Sequence, residues 1–290
     1  MSLALTDPTI GSTGWGGTVN GNFDKIKAAV TTGVATLGAG AVTLTTGNAT
    51  TWLRCATGTQ TITLPATSAG AGVLVAIVND NAPSGTAPAL VTVQCAGTDV
   101  IFSTAVDRTS LVLLSRNFLV LESNGSTGWI VRGISLTTDW LDGGPVPITA
   151  TITNPTKGAV SSDRFRWRRI NNELQAEYRF YQTSAGTNGS GTYLVGLPVG
   201  TIDTTLTGTA ADTDGWDIRI AEAGIGSCWL SNITSVAGNG NLFVRAGGTI
   251  GVSIVNIQGT AGYLWSSGAL QIGGSGIAFR GSLQVPIVGW

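Results

Sequence analysis

The residues best suited to chemistry lie in one run, Arg164-Phe165-Arg166-Trp167-Arg168-Arg169, which is the densest concentration of charge in the chain. Guanidinium groups that alternate with aromatic rings are typical of surfaces that bind nucleic acid or an acidic glycan. The same alternation fits a β-strand with one row of buried rings and one row of arginines that faces solvent or another subunit. We favour this second interpretation, because the rest of residues 161–290 carries no basic excess.

Acidic side chains form the second group of candidates, but their spacing selects no site. The run Asp212-Thr213-Asp214-Gly215-Trp216-Asp217 begins like a calcium-binding loop, yet Glu222 comes too early to supply the last ligand of an EF-hand. Asp and Gly are also ordinary turn residues. Glycoside hydrolysis requires two carboxyl groups about 5–10 Å apart across a cleft, and nothing in the sequence selects such a pair. We therefore predict no catalytic residue and no metal site.

The chain contains no histidine, which removes the commonest general base and a frequent zinc ligand. Its three cysteines, Cys55, Cys95 and Cys228, form no C-x-x-C pair, which is typical of a protein made in a reducing compartment. Cys95 lies in an alternating run and is interpreted as a small buried side chain. The sequence thus predicts a protein that is not an enzyme and that holds no cofactor.

Aromatic rings are the remaining candidates, because the flat faces of sugar rings pack on them. We select Trp216, Trp265 and Tyr263 as possible glycan contacts. Trp167 and Trp229 could stack on sugars in the same way, and all five could equally belong to the core or to an interface.

The elements that must position these residues are mainly β-strands. Residues 1–45 contain one short helix, in which Val19, Phe23, Ile26 and Val30 share a face. Three further segments follow in the sequence: a small β-sandwich domain over 46–133, a proline-containing linker with the domain boundary over 134–160, and a jelly-roll-like β-sandwich over 161–290.

Local signals place individual strands and turns within these segments. Residues 72–78 are continuously apolar, as in a strand buried on both faces. Asn124-Gly125 predicts a hairpin turn, and Asn171-Asn172 predicts a second tight turn after the arginine-rich run. We find no repeat of fixed period in the sequence.

The last residues of the sequence are apolar, and Val285, Ile287 and Trp290 are expected to be buried in their own sheet or between identical subunits. Only 11% of residues are charged, and the net charge is −1. This balance gives no general reason to expect a nucleic-acid or membrane-surface partner, and the composition suits a dense, long-lived assembly. No basic leader precedes an apolar core, and no stretch approaches the roughly 18 apolar residues that span a bilayer.

Three stretches, in this order, resemble tail fibres and other virion appendage proteins of bacteriophages. The first combines Leu5-Thr6-Asp7-Pro8 with a Gly-Trp pair and an Asn-x-Asn-Phe motif before the short helix. The second covers residues 61–65, 91–93 and 128–131, which are similar to a small β-domain of fibre shafts. The third covers residues 167–170, 193–198 and 285–290, which are similar to C-terminal domains of phage structural proteins.

The resemblance implies a non-enzymatic virion protein, a homotrimeric tail fibre assembled in the host cytoplasm. Its N-terminal segment, with Trp15, Asn20, Asn22 and Phe23, would attach to a tail or baseplate protein. Its C-terminal domain would contact host-surface polysaccharide, with no nucleic-acid partner and no membrane insertion. The chain lacks the long repeats and coiled coils common in fibres, so a capsid or neck decoration protein and a glycan-degrading tailspike are the alternatives.

Overall fold

The structure is a computed structural model, and it describes residues 34–45, 52–102, 107–204, 224–232, 236–244, 250–256, 262–264, 273–288 and 290. These residues form twenty strands in three sheets, with almost no helix. The prediction of a mainly β protein is therefore confirmed. The helix predicted within residues 1–45 lies outside the described residues. In the described part of the chain, no helix is long and apolar enough to cross a membrane.

The chain divides into two compact units. The first comprises the described residues of Met1–Pro83 together with Ala89–Leu136, and the second comprises Ser84–Pro88, Thr137–Val288 and Trp290. The first unit contains ten strands: β1 Val34–Leu37, β2 Gly40–Thr43, β3 Trp52–Cys55, β4 Gln60–Thr63, β5 Ala71–Asn79, β6 Val91–Gln94, β7 Val100–Phe102, β8 Ser110–Leu113, β9 Phe118–Asn124 and β10 Gly128–Ser135. A 3₁₀ turn, Thr67–Ala69, precedes β5.

The first unit is wound as successive coils between two sheets. One sheet has the order β1-β3-β5-β9-β10-β7 and the other β2-β4-β6-β8, so consecutive strands alternate between sheets as far as β9. Strands β1, β3 and β5 pair in parallel, as do β2, β4 and β6. The sequence separation between paired residues gives the length of each coil. It is 18 residues for Val34 and Trp52 but 31 residues for Gln60 and Val91. Because the coil length changes, the winding leaves no fixed period in the sequence.

One hydrophobic cluster joins both sheets of this unit. It includes Leu53 and Ile77 from the sheet of six strands and Ile62 and Val93 from the sheet of four, each at most 1% exposed. The strands alternate between buried and less buried positions, as expected when one face packs on a core. Residues 72–78 follow this alternation, so the prediction of burial on both faces was wrong, since only one face of β5 meets the core.

The second unit contains the remaining strands: β11 Leu141–Gly144, β12 Ile148–Ala150, β13 Val160–Ile170, β14 Glu173–Gln182, β15 Tyr193–Val195, β16 Gly224–Asn232, β17 Val236–Val244, β18 Ile250–Asn256, β19 Gly262–Leu264 and β20 Ile277–Pro286. They form one antiparallel sheet of order β11-β13-β14-β20-β16-β17-β18-β15-β12, with β19 beside β18. The predicted linker over 134–160 supplies β11 and β12 to this sheet. Its closely spaced prolines fall at the ends of these short strands, where they disturb little pairing.

Both predicted hairpin turns are confirmed. Asn124 and Gly125 end β9 and lead to its antiparallel partner β10, with Gly125 at a φ of +81°. The side-chain oxygen of Asn124 accepts hydrogen bonds from three backbone N–H groups of the turn, at 2.9–3.1 Å. The turn between β13 and β14 contains Asn171, whose φ is +55°, a conformation that asparagine tolerates better than most residues.

Candidate ligand-binding surface

The arginine-rich run forms β13, and its alternation sends the rings and most of the charges to opposite faces of the sheet. Phe165 and Trp167 are at most 1% exposed on the inner face, whereas Arg164 and Arg166 are exposed on the outer face. Phe165 stacks on Tyr178 of β14, with ring centroids 4.9 Å apart. The packed inner face therefore fixes which side chains the outer face presents.

The sheet register aligns three arginines from three different strands. Arg164 of β13 pairs with Arg179 of β14, and Arg179 pairs with Arg280 of β20. We call these three residues the arginine row. The row continues across the sheet to Trp229 of β16 and Asn239 of β17. With strands about 4.8 Å apart, the five positions cover roughly 19 Å.

Among the described residues, little negative charge compensates the arginine row. Arg164 lies 3.5 Å from Asp142, and both side chains are more than half exposed, so this ion pair contributes little. Arg179 and Arg280 make no ion pair with any described residue. Like charges placed directly opposite each other destabilise a sheet. An anionic ligand bound at the arginine row would reduce this repulsion.

The neighbouring row of the outer face is close to neutral. Arg166 pairs with Glu177, with 2.5 Å between its guanidinium and the carboxylate. Ser282, Ser227 and Asn241 follow on the next three strands. Hydroxyl and amide groups on this row can both donate and accept hydrogen bonds, which is the chemistry that sugar hydroxyls require.

Together the two rows line an open groove of about 840 Å³. Trp229 lies in this groove with 37% of its surface exposed, although a tryptophan is usually more fully covered. A ring face that remains open beside guanidinium groups can stack against a flat ligand. The groove therefore combines charge, an aromatic platform and neutral hydrogen-bonding groups.

A second depression of about 400 Å³ lies beside the groove and shares Glu177, Ser227 and Ser282 with it. Trp140 lies at its edge, with the guanidinium carbons of Arg166 and Arg168 at 4.7 and 4.8 Å from its ring centroid. Such cation–π contacts hold the two arginines against the sheet. The floor is uncharged where Gln175 donates to Gln284 over 2.8 Å.

The predicted terminal residues lie on the inner face of the same unit. Val285, Ile287 and Trp290 are at most 3% exposed within the single chain. The guanidinium carbon of Arg169, which is fully buried, lies 4.8 Å from the Trp290 ring centroid. Trp167 lies 6.4 Å from Trp290 between ring centroids and donates its indole N–H to the Gly85 carbonyl over 2.9 Å. These residues stabilise the sheet from inside and do not face the groove.

Most of the other predicted site residues lie outside the described residues. This holds for Trp15, Asn20, Asn22 and Phe23, and for the glycan candidates Trp216 and Trp265. Tyr263 belongs to β19, which pairs with β18, but its side chain is not among those described. The acidic run 212–217 is likewise outside the described part.

Sequence reasoning missed Arg179 and Arg280, and it included Trp229 among the aromatic candidates without selecting it. Arg179 and Arg280 are isolated basic residues in the sequence, and only the pairing of β14 with β20 brings them together. One signal was available: each occupies an outward position in a strand whose alternate residues are apolar. The sequence does not show the order of the strands, which decides which residues lie next to each other in the sheet.

Burial makes Cys55, Cys228 and Tyr178 less reactive. Burial raises the pKa of the Cys55 thiol to about 11 and that of Cys228 to about 12, so both are protonated and poor nucleophiles at neutral pH. Burial also raises the pKa of Tyr178, whose hydroxyl donates to the Gly196 carbonyl. Among the described residues, no three acidic, cysteine or histidine side chains are grouped so that they could hold a metal ion.

Comparison with known proteins adds no relative to this description. No protein-family model, no curated protein and no solved structure matches the chain.

Proposed function

We propose that the chain is a non-enzymatic structural protein of a bacteriophage virion, a homotrimeric tail fibre that contacts host-surface polysaccharide through its second unit. The resemblance of its three sequence stretches to phage appendage proteins supports the virion assignment. The N-terminal segment with Trp15, Asn20, Asn22 and Phe23 would dock to a tail or baseplate protein. This docking role rests on the resemblance alone.

The observation that carries the binding role is the groove on the outer face of the second unit. It places Trp229 beside the arginine row and next to the neutral groups of Ser227, Ser282 and Asn241. Weak glycan contacts of this kind become effective when they are repeated over several subunits. A trimeric fibre provides that repetition without any catalysis.

The finer fold belongs to the same proposal. We propose that the first unit is a small β-sandwich of the fibre shaft, which the shared hydrophobic cluster of its two sheets supports. We propose that the second unit is a jelly-roll-like β-sandwich. A sheet of ten strands supports this, because open sheets of that size tend to curl or divide into packed layers.

Binding is tested by passing the purified full chain over surfaces coated with bacterial surface polysaccharides. We expect capture by at least one polysaccharide, and we expect Trp229→Ala to weaken it about tenfold or more, since truncating an aromatic anchor of a binding surface costs about 2 kcal/mol or more. Trp52→Ala in the first unit is the matched control, because Trp52 is also partly exposed, at 47%. Equal loss in both variants would contradict a binding role for the groove.

Assembly and location are tested separately. We expect light scattering at micromolar concentration to give the mass of three chains, and a monomer would contradict the trimer. Gold-labelled antibodies on purified virions should mark the tail, whereas label on the head would favour a capsid or neck decoration protein. Release of new reducing ends from a bound polysaccharide would instead favour a tailspike.

A further inference from the structure

We propose that the groove recognises an acidic heteropolysaccharide, with an anionic group held between Arg179 and Arg280 and the adjoining sugar ring stacked on Trp229. This inference rests on the proposed function and names the class of glycan that the same site takes. Its anionic groups are carboxylates or phosphates, since guanidinium binds both in bidentate fashion.

The outer face of the second unit carries more positive than negative charge. Strands β13, β14 and β20 present five outward arginines and only two outward glutamates, Glu173 and Glu177. Glu177 is already paired with Arg166, and Glu173 accepts a hydrogen bond from Gln284. Of the other four outward arginines, Arg168 packs on Trp140 and the remaining three form the arginine row, where most of the uncompensated positive charge lies. An anion placed there is attracted by several guanidinium groups at once.

The strand register places two of these arginines beside Trp229. Arg179 and Arg280 are direct partners on adjacent strands, and Trp229 is the direct partner of Arg280 on the next strand. A carboxylate midway between the two arginines thus has an aromatic ring one and a half strand spacings away, about 7 Å across the sheet. The long arginine side chains can carry the anionic group over part of that distance, so the adjoining sugar ring reaches Trp229.

The surface beside the arginine row limits the charge density of a ligand that fits it. Beyond the arginine row lie Ser227 and Ser282, and then Gln175 and Gln284 beside Arg168, whose guanidinium packs on Trp140. The hydroxyl and amide groups suit neutral sugars, because they offer hydrogen bonds without net charge. A polysaccharide with one acidic sugar among neutral ones therefore fits the surface better than a uniform polyanion.

The same observations disfavour single-stranded nucleic acid. Nucleic-acid grooves present a series of aromatic platforms and a positive track along the backbone, whereas this groove exposes Trp229 beside one short row of charge. The carboxylate of Glu177 also lines the groove and would repel a continuous phosphate backbone.

The test is a glycan array that contains acidic heteropolysaccharide fragments, the same fragments with their carboxyl groups esterified, phosphate-bearing glycans, neutral glycans, heparin and single-stranded DNA. We expect the full chain to bind acidic heteropolysaccharides and to lose about tenfold or more when the carboxyl groups are esterified. Arg179→Gln and Arg280→Gln should each weaken binding about tenfold or more. Arg132→Gln, which removes one exposed arginine of the first unit, should leave binding unchanged.

The outcomes separate this inference from the function on which it rests. Binding to neutral glycans alone, or acidic binding that both row variants retain, overturns the inference and leaves the glycan-binding fibre intact. Stronger binding to single-stranded DNA or to heparin than to every acidic heteropolysaccharide also overturns it. Absence of any glycan binding overturns the proposed glycan contact itself. Circular dichroism of each variant confirms that the sheet has formed.

Discussion

Arg179 and Arg280 lie directly opposite each other on β14 and β20, two long antiparallel strands in the middle of a sheet. Both side chains are exposed, and neither forms an ion pair with a described residue. Directly opposed like charges lower the stability of a sheet by a few tenths to about 1 kcal/mol. The repulsion between Arg179 and Arg280 is unfavourable for folding, but the two opposed charges can both bind one anion.

Relief of this repulsion should stabilise the second unit. We expect Arg280→Thr to raise the thermal midpoint at low salt, because it removes the opposed charge and introduces a good strand former. The gain should shrink at about 1 M salt, where the Debye length is about 3 Å. Differential scanning calorimetry at both salt concentrations measures this, with Arg132→Thr as the control. A midpoint that falls at low salt would refute the argument.

The arginine row also shows where sequence reasoning ended. The alternation of rings and charges in residues 164–168 predicted a strand with two chemically different faces, and β13 has that form. Charge averaged over residues 161–290 shows no basic excess and hides the local concentration on the outer face. Arg179 and Arg280 contribute through strand pairing, and pairing between positions 101 residues apart is not written in any local pattern. The local face was predictable, but the site was not.

The first unit gives the same lesson for the fold. The alternating run that ends at Cys95 is typical of a strand, and its residues Val91–Gln94 form β6, which pairs with β4 in one sheet. Their parallel pairing was not predictable, because the coil between them is longer than the coil that precedes it. Turn chemistry such as Asn124-Gly125 acts over four residues and was therefore predicted correctly.

The ring of Trp290 should be a major source of stability in the second unit. It is 2% exposed and contacts the guanidinium group of Arg169. We expect Trp290→Ala to cost about 3–5 kcal/mol, as for other large buried aromatics. Val288→Ala is the matched control, because Val288 is 58% exposed and should change stability by less than about 0.5 kcal/mol. Urea denaturation followed by circular dichroism compares the two, and similar midpoints would contradict the packing role.

The stability of the first unit should depend on pH through Asp80. A hydrogen bond from Arg54 and the nearby charges of Arg54 and Arg116 hold the pKa of Asp80 below its usual value. A lowered pKa stabilises the folded state above the unfolded pKa of about 3.9, and the contribution disappears as the pH falls through the folded pKa.

We therefore expect Asp80→Asn to lower the thermal midpoint at neutral pH and to lose less stability than the natural chain between about pH 4 and pH 2. Asp107→Asn serves as a control, since Asp107 is an exposed aspartate of the same unit. Calorimetry over this pH range measures both variants. Parallel midpoint curves for the natural chain and Asp80→Asn would exclude the ion pairs as the source of the acid dependence.

We expect replacement of Asn79 by aspartate, its nearest isostere, to destabilise the first unit. Its side chain is fully buried at the end of β5, where the amide nitrogen donates to the carbonyls of Ala89 and Leu113 at 2.8 and 2.9 Å. In Asn79→Asp the carboxylate faces two carbonyl oxygens without a proton to donate, so we expect a loss of about 3 kcal/mol or more at neutral pH. Relative to the natural chain at each pH, the loss should shrink in acid, where a protonated carboxyl can donate one hydrogen bond.

Asn124→Asp is the control that isolates this donor role. The oxygen of Asn124 accepts hydrogen bonds from Ser126, Thr127 and Gly128, and a carboxylate accepts them equally well. Its amide nitrogen makes one long, exposed contact of 3.4 Å with the Thr127 hydroxyl, and that hydroxyl can itself donate to a carboxylate. The same chemical change should therefore be nearly neutral at Asn124 and severe at Asn79. Thermal midpoints of the two variants at neutral and acidic pH decide the matter, because equal destabilisation at both positions would show that added charge, and not the lost donor, causes the effect.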